Sequence, residues 1–160
     1  VAGTGTVTSV SAGDGMSFTT ITGSGTVAIN KATAANTAAG TSNKVITADI
    51  AVGAAAFTAL TPGATVTPDL DIAYNFTLTP NQNFTLANPS NITGKLGRSF
   101  CIVITNDATP STITLGTSYY APGGSSAIAL TASNGAIDQL CGLIVTTTQI
   151  NLTSTKNYSH

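Results

Sequence analysis

Glutamate and tryptophan are missing from this chain of 160 residues, methionine and histidine occur once each, and charged residues make up only 7% of it. An average soluble domain carries about 25% charged residues. Each shortage excludes something. The five basic residues, Lys31, Lys44, Lys95, Arg98 and Lys156, are scattered and the net charge is -1. No basic stripe exists to follow a phosphate backbone, so a nucleic-acid partner is not expected. The single histidine is the last residue, His160. Without an internal imidazole, neither a Ser-His-Asp nor a Cys-His arrangement can be assembled within the chain. The acids are all aspartates, and with no tryptophan for stacking they make a poor sugar-cleaving site. No run approaches the roughly 18 apolar residues of a membrane span, so membrane insertion is not expected. The stretch 1–7 has neither the basic nor the apolar region of a secretion signal.

What the chain does contain is apolar material and threonine. Hydrophobic residues reach 42%, and threonines number roughly 30. β-Branched threonine favours strands over helices, and the strong helix formers are scarce. The composition predicts an all-β protein whose surface is solvated by hydroxyls instead of charges. Charges normally blunt exposed strand edges, so such a chain needs another way to hide them.

Three segments can be distinguished. Residues 1–30 offer short strand-like runs, TVTSVS and GTVAIN, broken by Gly13-Asp14-Gly15 and Gly23-Ser24-Gly25. Their apolar side chains are too few to bury a core alone. Residues 31–72 read as a connector with short helical turns in its Ala-rich stretches and with Pro62-Gly63 and Pro68-Asp69 as turn punctuation. Residues 73–160 form the principal domain. Alternating runs such as NFTL, SFCIVIT, TITL and QLCGLIV recur between Gly, Asn and Pro clusters. That pattern predicts a small antiparallel β-sandwich or a barrel-like module.

Few residues invite chemistry. Cys101 and Cys141 lie in the apolar runs FCIVI and LCGLIV and form no C-x-x-C pair. They read as two buried thiols on neighbouring strands, reduced if assembly is cytosolic, with a disulfide between those strands as the alternative. Asp69 and Asp71 would share one face of a strand, but a Ca²⁺ site needs several more oxygens, and the pair reads as a solvated turn. Gly3-Thr4-Gly5 and Gly13-Asp14-Gly15 open no helix and carry no GK[ST], so they are turns and not phosphate loops. Five N-x-S/T triplets, beginning at Asn75, Asn83, Asn91, Asn151 and Asn157, follow from the abundance of Asn and Thr. No catalytic, cofactor-binding or metal-binding residue is assigned.

Three stretches carry a resemblance. Residues 5–29, GTVTSV followed by Gly-x-Gly, a Thr-rich stretch and GTVAI, resemble a stalk repeat of bacteriophage tail fibres. Residues 32–50, ATAANTAAGTSNKVITADI, resemble another fibre motif, departing from it in lacking that motif's usual acidic residue in the Ala-rich run and the Thr-Pro after Lys44. Residues 74–145, with FTLANP, GKLG, ITNDATPSTITL and a Pro-Gly-Gly turn, resemble a β-module near the C-termini of phage fibre and appendage proteins.

The resemblance implies a homotrimer with a short intertwined N-terminal stalk, located in a virion assembled in the bacterial cytoplasm. Its partners would be its own copies, other virion proteins and a host surface glycan or protein. The function implied is structural and non-catalytic, with a host-attachment surface. A capsid decoration protein or head fibre is the alternative, since a fold does not fix a function. Tyr119 and Tyr120, in the loop-like stretch GTSYYAPGGSSA, are the candidate receptor contacts, because tyrosines offer flat apolar faces with a polar tip. The competing reading packs them over the end of the module or against a neighbouring subunit.

Overall fold

The computed structural model describes residues 8–107 and 111–158. The Gly3-Thr4-Gly5 turn and His160 lie outside the described residues, as does the third residue of the triplet that begins at Asn157.

Among the described residues the protein is β-rich, with two short α-helices, α1 (Ala34–Ala39) and α2 (Ala48–Gly53). Helix α1 starts at a reciprocal cap. Thr33 Oγ1 accepts the Asn36 N–H at 3.0 Å, and Asn36 Oδ1 accepts the Thr33 N–H at 3.1 Å. Gly40, at φ 72°, ends the helix in the left-handed conformation that glycine adopts without a Cβ penalty. The helix is tied to the rest of the molecule through the carbonyl of its buried Ala38. That oxygen accepts the Tyr74 hydroxyl at 2.5 Å and Arg98 Nη1 at 3.3 Å, and the guanidinium also lies 5.2 Å from the Tyr74 ring centroid.

Ten strands follow among the described residues: β1 (Phe57–Ala59), β2 (Thr65–Val66), β3 (Asn75–Leu78), β4 (Phe84–Leu86), β5 (Ser99–Thr105), β6 (Thr112–Leu115), β7 (Tyr119–Tyr120), β8 (Ala127–Ala129), β9 (Ile137–Thr146) and β10 (Gln149–Tyr158). They make a six-stranded sheet in the order β1-β3-β5-β9-β10-β7 and a four-stranded sheet in the order β2-β4-β6-β8. From β1 to β8, successive strands alternate between the two sheets. Parallel pairs therefore join β1 to β3 to β5 in one sheet and β2 to β4 to β6 in the other. Parallel neighbours need a long crossover, and here the crossover is itself a strand of the facing sheet. The chain winds as a flattened coil. It is closed by β8 and β9, antiparallel to β6 and β5, and by the β9–β10 hairpin.

The expected antiparallel sandwich is thus corrected to two mixed sheets. The reason is visible in the repeated tetrapeptide Asn-Phe-Thr-Leu. Residues 75–78 and 83–86 look like the two arms of a hairpin. Their intervening Thr79-Pro80-Asn81-Gln82 instead carries the chain from one sheet to the other. Phe76, Leu78, Phe84 and Leu86 all point into the space between the sheets, where they are buried. Residues 57–66, within the stretch read as a connector, supply the outermost strands β1 and β2.

The core lies between the sheets. Phe100, Ile102, Ile104, Ile113, Leu140, Ile144 and Ile150 are all almost fully buried there. Gly142 gives Phe100 its place. A Cβ at 142 would sit 2.9 Å from Phe100 Cε1 and 2.8 Å from Ile150 Cγ2. The region before β1 is different. Its pairing up to Val45 consists of isolated bridges, Val10 with Ile21, Met16 with Ile29 and Lys31 with Val45. Val27, Ile29, Ile46 and Val52 are 54%, 52%, 55% and 75% exposed.

The two cysteines do lie on neighbouring strands, directly opposite each other on β5 and β9, and they are joined as a disulfide with a Cα–Cα distance of 4.1 Å. The expectation of buried free thiols is corrected, and the alternative, a disulfide between neighbouring strands, is the state observed. Inward positions on β5 and β9 are taken by Phe100, Ile102, Leu140 and Gly142. Strand alternation therefore turns both sulfurs to the outer face, where the pair is half-buried. The Cys101 N–H is donated to Tyr74 O of the β3 segment, on the side away from β9. The two cysteines thus form a non-hydrogen-bonded pair, the closer of the two antiparallel arrangements.

Candidate functional site

Register fixes what the outer face of the six-stranded sheet presents. One row runs Tyr120, Asn151, Leu143, Ser99. The next runs Thr153, Cys141, Cys101, Asn75, Phe57. A third holds Thr155, Gln139, Val103, Thr77 and Ala59. None of these outward residues is charged. Hydroxyls and amides alternate with isolated apolar groups, chiefly Leu143, Tyr120 and Phe57, all exposed. Such a face offers hydrogen bonds and flat apolar contact to an uncharged ligand.

The loop carrying the two tyrosines is held firmly. Asn88 acts as its anchor: Oδ1 accepts the Ser118 N–H at 2.9 Å, and Nδ2 donates to Thr117 Oγ1 at 3.1 Å. Gly116 permits this approach, because a Cβ there would lie 2.5 Å from Asn88 Oδ1. Tyr119 and Tyr120 form a two-residue strand, so alternation sends one ring to each face. Tyr119 points inward, buried, and its hydroxyl donates to Ala87 O at 3.1 Å. Burial pushes its phenol well above the usual range. Tyr120 points outward and is 56% exposed beside a groove of about 440 Å³ that runs to Ser125 and Ser126. The structure divides the candidate pair: Tyr119 is a packing residue, and Tyr120 alone presents a face to solvent.

Three polar clusters are structural. Asp138 is buried at 1% exposure in a nest of donors. Oδ2 accepts the Thr131 N–H at 2.7 Å and Asn106 Nδ2 at 3.0 Å, while Oδ1 accepts the Thr131 hydroxyl at 2.7 Å and the Asn157 N–H at 2.9 Å. Burial pushes this carboxyl upward, but the donors from Thr131, Asn157 and Asn106 outweigh it and hold it below the ordinary value. Asn157 reaches Asp138 because β10 is bulged there, with Asn157 at φ 57°.

The Asp69–Asp71 pair is the second cluster. Asp69 Oδ1 accepts Asn91 Nδ2 at 2.8 Å and the Asp71 N–H at 2.9 Å. The Asn91 amide is the main cause of its lowered pKa. Asp71 Oδ1 receives the ammonium of Lys95 at 2.6 Å, and that lysine is 3% exposed. The lysine is the cation of this turn. Among the described residues no cluster of three His, Cys, Asp or Glu side chains could hold a metal ion. The third cluster is exposed. Lys31 pairs with Asp49 at 2.8 Å, and Asp49 also accepts the Thr47 hydroxyl. These contacts, the lysine first, hold the carboxyl at about 2.

Sequence reasoning singled out Asp69, Asp71, Tyr119, Tyr120 and the cysteines and missed Asp138, Asn88 and Lys95. No local signal marked these three, since each acts on groups at least seven residues away. Among the described residues no helix is long and apolar enough to cross a membrane. No family model, curated protein or solved structure matches the chain.

Proposed function

We propose that this chain is a non-catalytic structural segment of a phage fibre or appendage, working as a homotrimer and displaying a host-attachment surface. The observation that carries the reading is the state of residues 8–52 in a single copy. This segment leaves Val27, Ile29, Ile46 and Val52 more than half exposed and pairs through bridges instead of continuous strands. Exposed apolar residues gathered in one region mark an interaction surface, and strands that lack neighbours within one chain find them in others. Residues 57–107 and 111–158 supply the scaffold, and the uncharged outer face with Tyr120 at its border is the attachment surface. A face of hydroxyls, amides and one exposed phenol suits a neutral glycan or a protein loop.

Sedimentation of the purified chain tests the oligomeric part. A folded species at three times 15.9 kDa is expected, with no stable folded monomer on dilution. A stable monomer folded throughout, residues 8–52 included, refutes it. Adsorption of the purified chain to bacterial cells tests the attachment part. Folded trimer that binds no cell, found in hundreds of copies on particle shells, transfers the reading to a capsid decoration protein or head fibre.

A further inference from the structure

The coil has two ends, and in a single copy both are open. At the first end lie β1 and β2, the terminal strands of the two sheets. Leu60 N donates to Thr77 O, so by strand alternation the backbone of Ala59 faces away from β3. Val66 O accepts the Ala87 N–H, so the backbone of Thr65 faces away from β4. Between these edges is a groove of about 280 Å³ bordered by Ile72, 53% exposed, and by Asp69.

The second end has the same form. Strand β8 terminates the smaller sheet. Leu115 N donates to Ser126 O and Leu130 N to Ser111 O, so Ser126, Ile128 and Leu130 turn their backbones toward β6. The N–H and C=O of Ala129 therefore point outward. In the larger sheet, Ile150 N donates to Ser118 O on the β7 side. Ser154 faces the same way, beyond the end of the two-residue β7. The groove between these edges, about 470 Å³, is lined by Ile128, Leu152, Ser154 and Lys156.

No described residue pairs with either set of edges. Strand edges this open are templates for further pairing unless lysine, proline, a bulge or a covering element blunts them. The two ends match. Each offers one edge from each sheet, with an apolar groove between. They are also opposite in charge: Asp69 is the charged residue lining the first groove, and Lys156, with no ion pair among the described residues, is the one lining the second.

We propose that the β1/β2 end of one copy docks on the β8/β10 end of a second copy, head to tail, so that both sheets continue from subunit to subunit and a ring of three such contacts closes. This deepens the trimer reading and rests on it. A head-to-tail contact is heterologous and leaves no free end only if the ring closes. Closure removes the edges that the chain has too few charges to protect.

The test uses two full-length variants, Thr65→Pro and Ala129→Pro. Each removes an N–H that points outward and bonds to none of the described residues, the position where an edge strand tolerates proline. Circular dichroism and retention of the Cys101–Cys141 bond report folding. Each variant alone is expected to sediment at the mass of one chain, with its scaffold folded and residues 8–52 opened, at concentrations where the unaltered chain is assembled. Mixed one to one, they are expected to form dimers and nothing larger, because each keeps one working end. Variants that remain trimeric, or a mixture that stays monomeric, overturn the head-to-tail contact while leaving the trimer reading intact. An unaltered chain that is monomeric overturns both. An unaltered ring of another size, with dimers in the mixture, keeps the contact and overturns the count. If either proline variant fails to fold, a Thr65→Cys/Ala129→Cys chain decides. Oxidation should give a ladder of crosslinked subunits, and recovery of uncrosslinked chain alone overturns the proposal.

Discussion

Reducing the Cys101–Cys141 bond should cost the protein a large part of its stability. The bond closes a loop across a sequence separation of 40 residues. Tying the ends of such a loop removes about 13 cal/mol/K from the entropy of the unfolded chain, or about 4 kcal/mol at room temperature. That is a substantial share of the roughly 5–15 kcal/mol by which domains are stable. The native side of the balance changes little. Cys101 and Cys141 face each other in a register that seven residue pairs of β5 and β9 already fix, so cutting the bond leaves the strands in place. The effect therefore acts through the unfolded ensemble. With a urea slope of about 2 kcal/mol/M, the midpoint should fall by about 2 M, either on reduction or in a Cys101→Ser/Cys141→Ser chain.

The assay is urea unfolding at a fixed chain concentration, because the proposed assembly would make the midpoint concentration-dependent. It is read by circular dichroism and tyrosine fluorescence, as the chain has no tryptophan. Intact mass before and after alkylation establishes the thiol state independently. Coincident midpoints with equal slopes for oxidised and reduced protein would refute the loop-entropy reasoning. Rapid alkylation of both residues in the native, unreduced protein would refute the bond itself.

Asp138 should make stability sensitive to acid. Its carboxyl is held below the ordinary value of 3.8 in the folded state, so its contribution is complete above that value and lost as pH falls through the folded one. Urea midpoints followed from neutral pH down to about 2 should show a smaller acid loss in Asp138→Asn than in the unaltered chain, and an equal loss would contradict the donor nest. At the Lys95–Asp71 pair, Asp71→Ala should destabilise by about 3 kcal/mol, because it strips a buried ammonium of its partner. Lys95→Met, which removes the buried charge, should cost much less, and the reverse order of the two unfolding midpoints would count against this reasoning. Tyr119→Phe should lower stability by about 1 kcal/mol through the lost bond to Ala87 O without changing cell adsorption. Tyr120→Ala should leave the unfolding midpoint within about 0.5 kcal/mol and weaken adsorption; equal adsorption would remove Tyr120 from the attachment surface.

Strand positions were largely legible because alternation survives in short runs. NFTL, SFCIVIT, TITL, AIA and QINL all sit within observed strands. Partners were not legible. Alternation says which side chains share a face, but it is the same for a hairpin arm and for a strand that crosses to the facing sheet. The two NFTL runs show this directly. Strands β1 and β2 were invisible for another reason: three residues and two carry no periodicity. The tyrosine pair posed a parity problem, since consecutive positions on a strand must diverge and neither name nor spacing says which faces in. In the run LCGLIV the continuous apolar character hid the outward turn of Cys141 and Leu143. Only the inward Gly142, filled by the Phe100 ring, reveals it.

The ties within the molecule are unevenly placed, and that unevenness bears on assembly. The disulfide, the Asp138 nest and the Lys95 pair all join segments after Leu70. Before Phe57 the comparable ties are the exposed Lys31–Asp49 pair, the Lys44 bond to Asn30 Oδ1 at 2.7 Å and the Ala38 carbonyl that Tyr74 and Arg98 hold. Local stability follows buried apolar contact and protected hydrogen bonds, so a lone copy would open first in its N-terminal third. That same third carries the exposed Val27, Ile29, Ile46 and Val52. A chain that evolved to stand alone would place polar residues where its backbone is least protected. Apolar residues there are consistent with a segment whose folded state is completed by neighbouring copies, and under the proposed trimer the stability of residues 8–52 is a property of the assembly, with subunit concentration as its control.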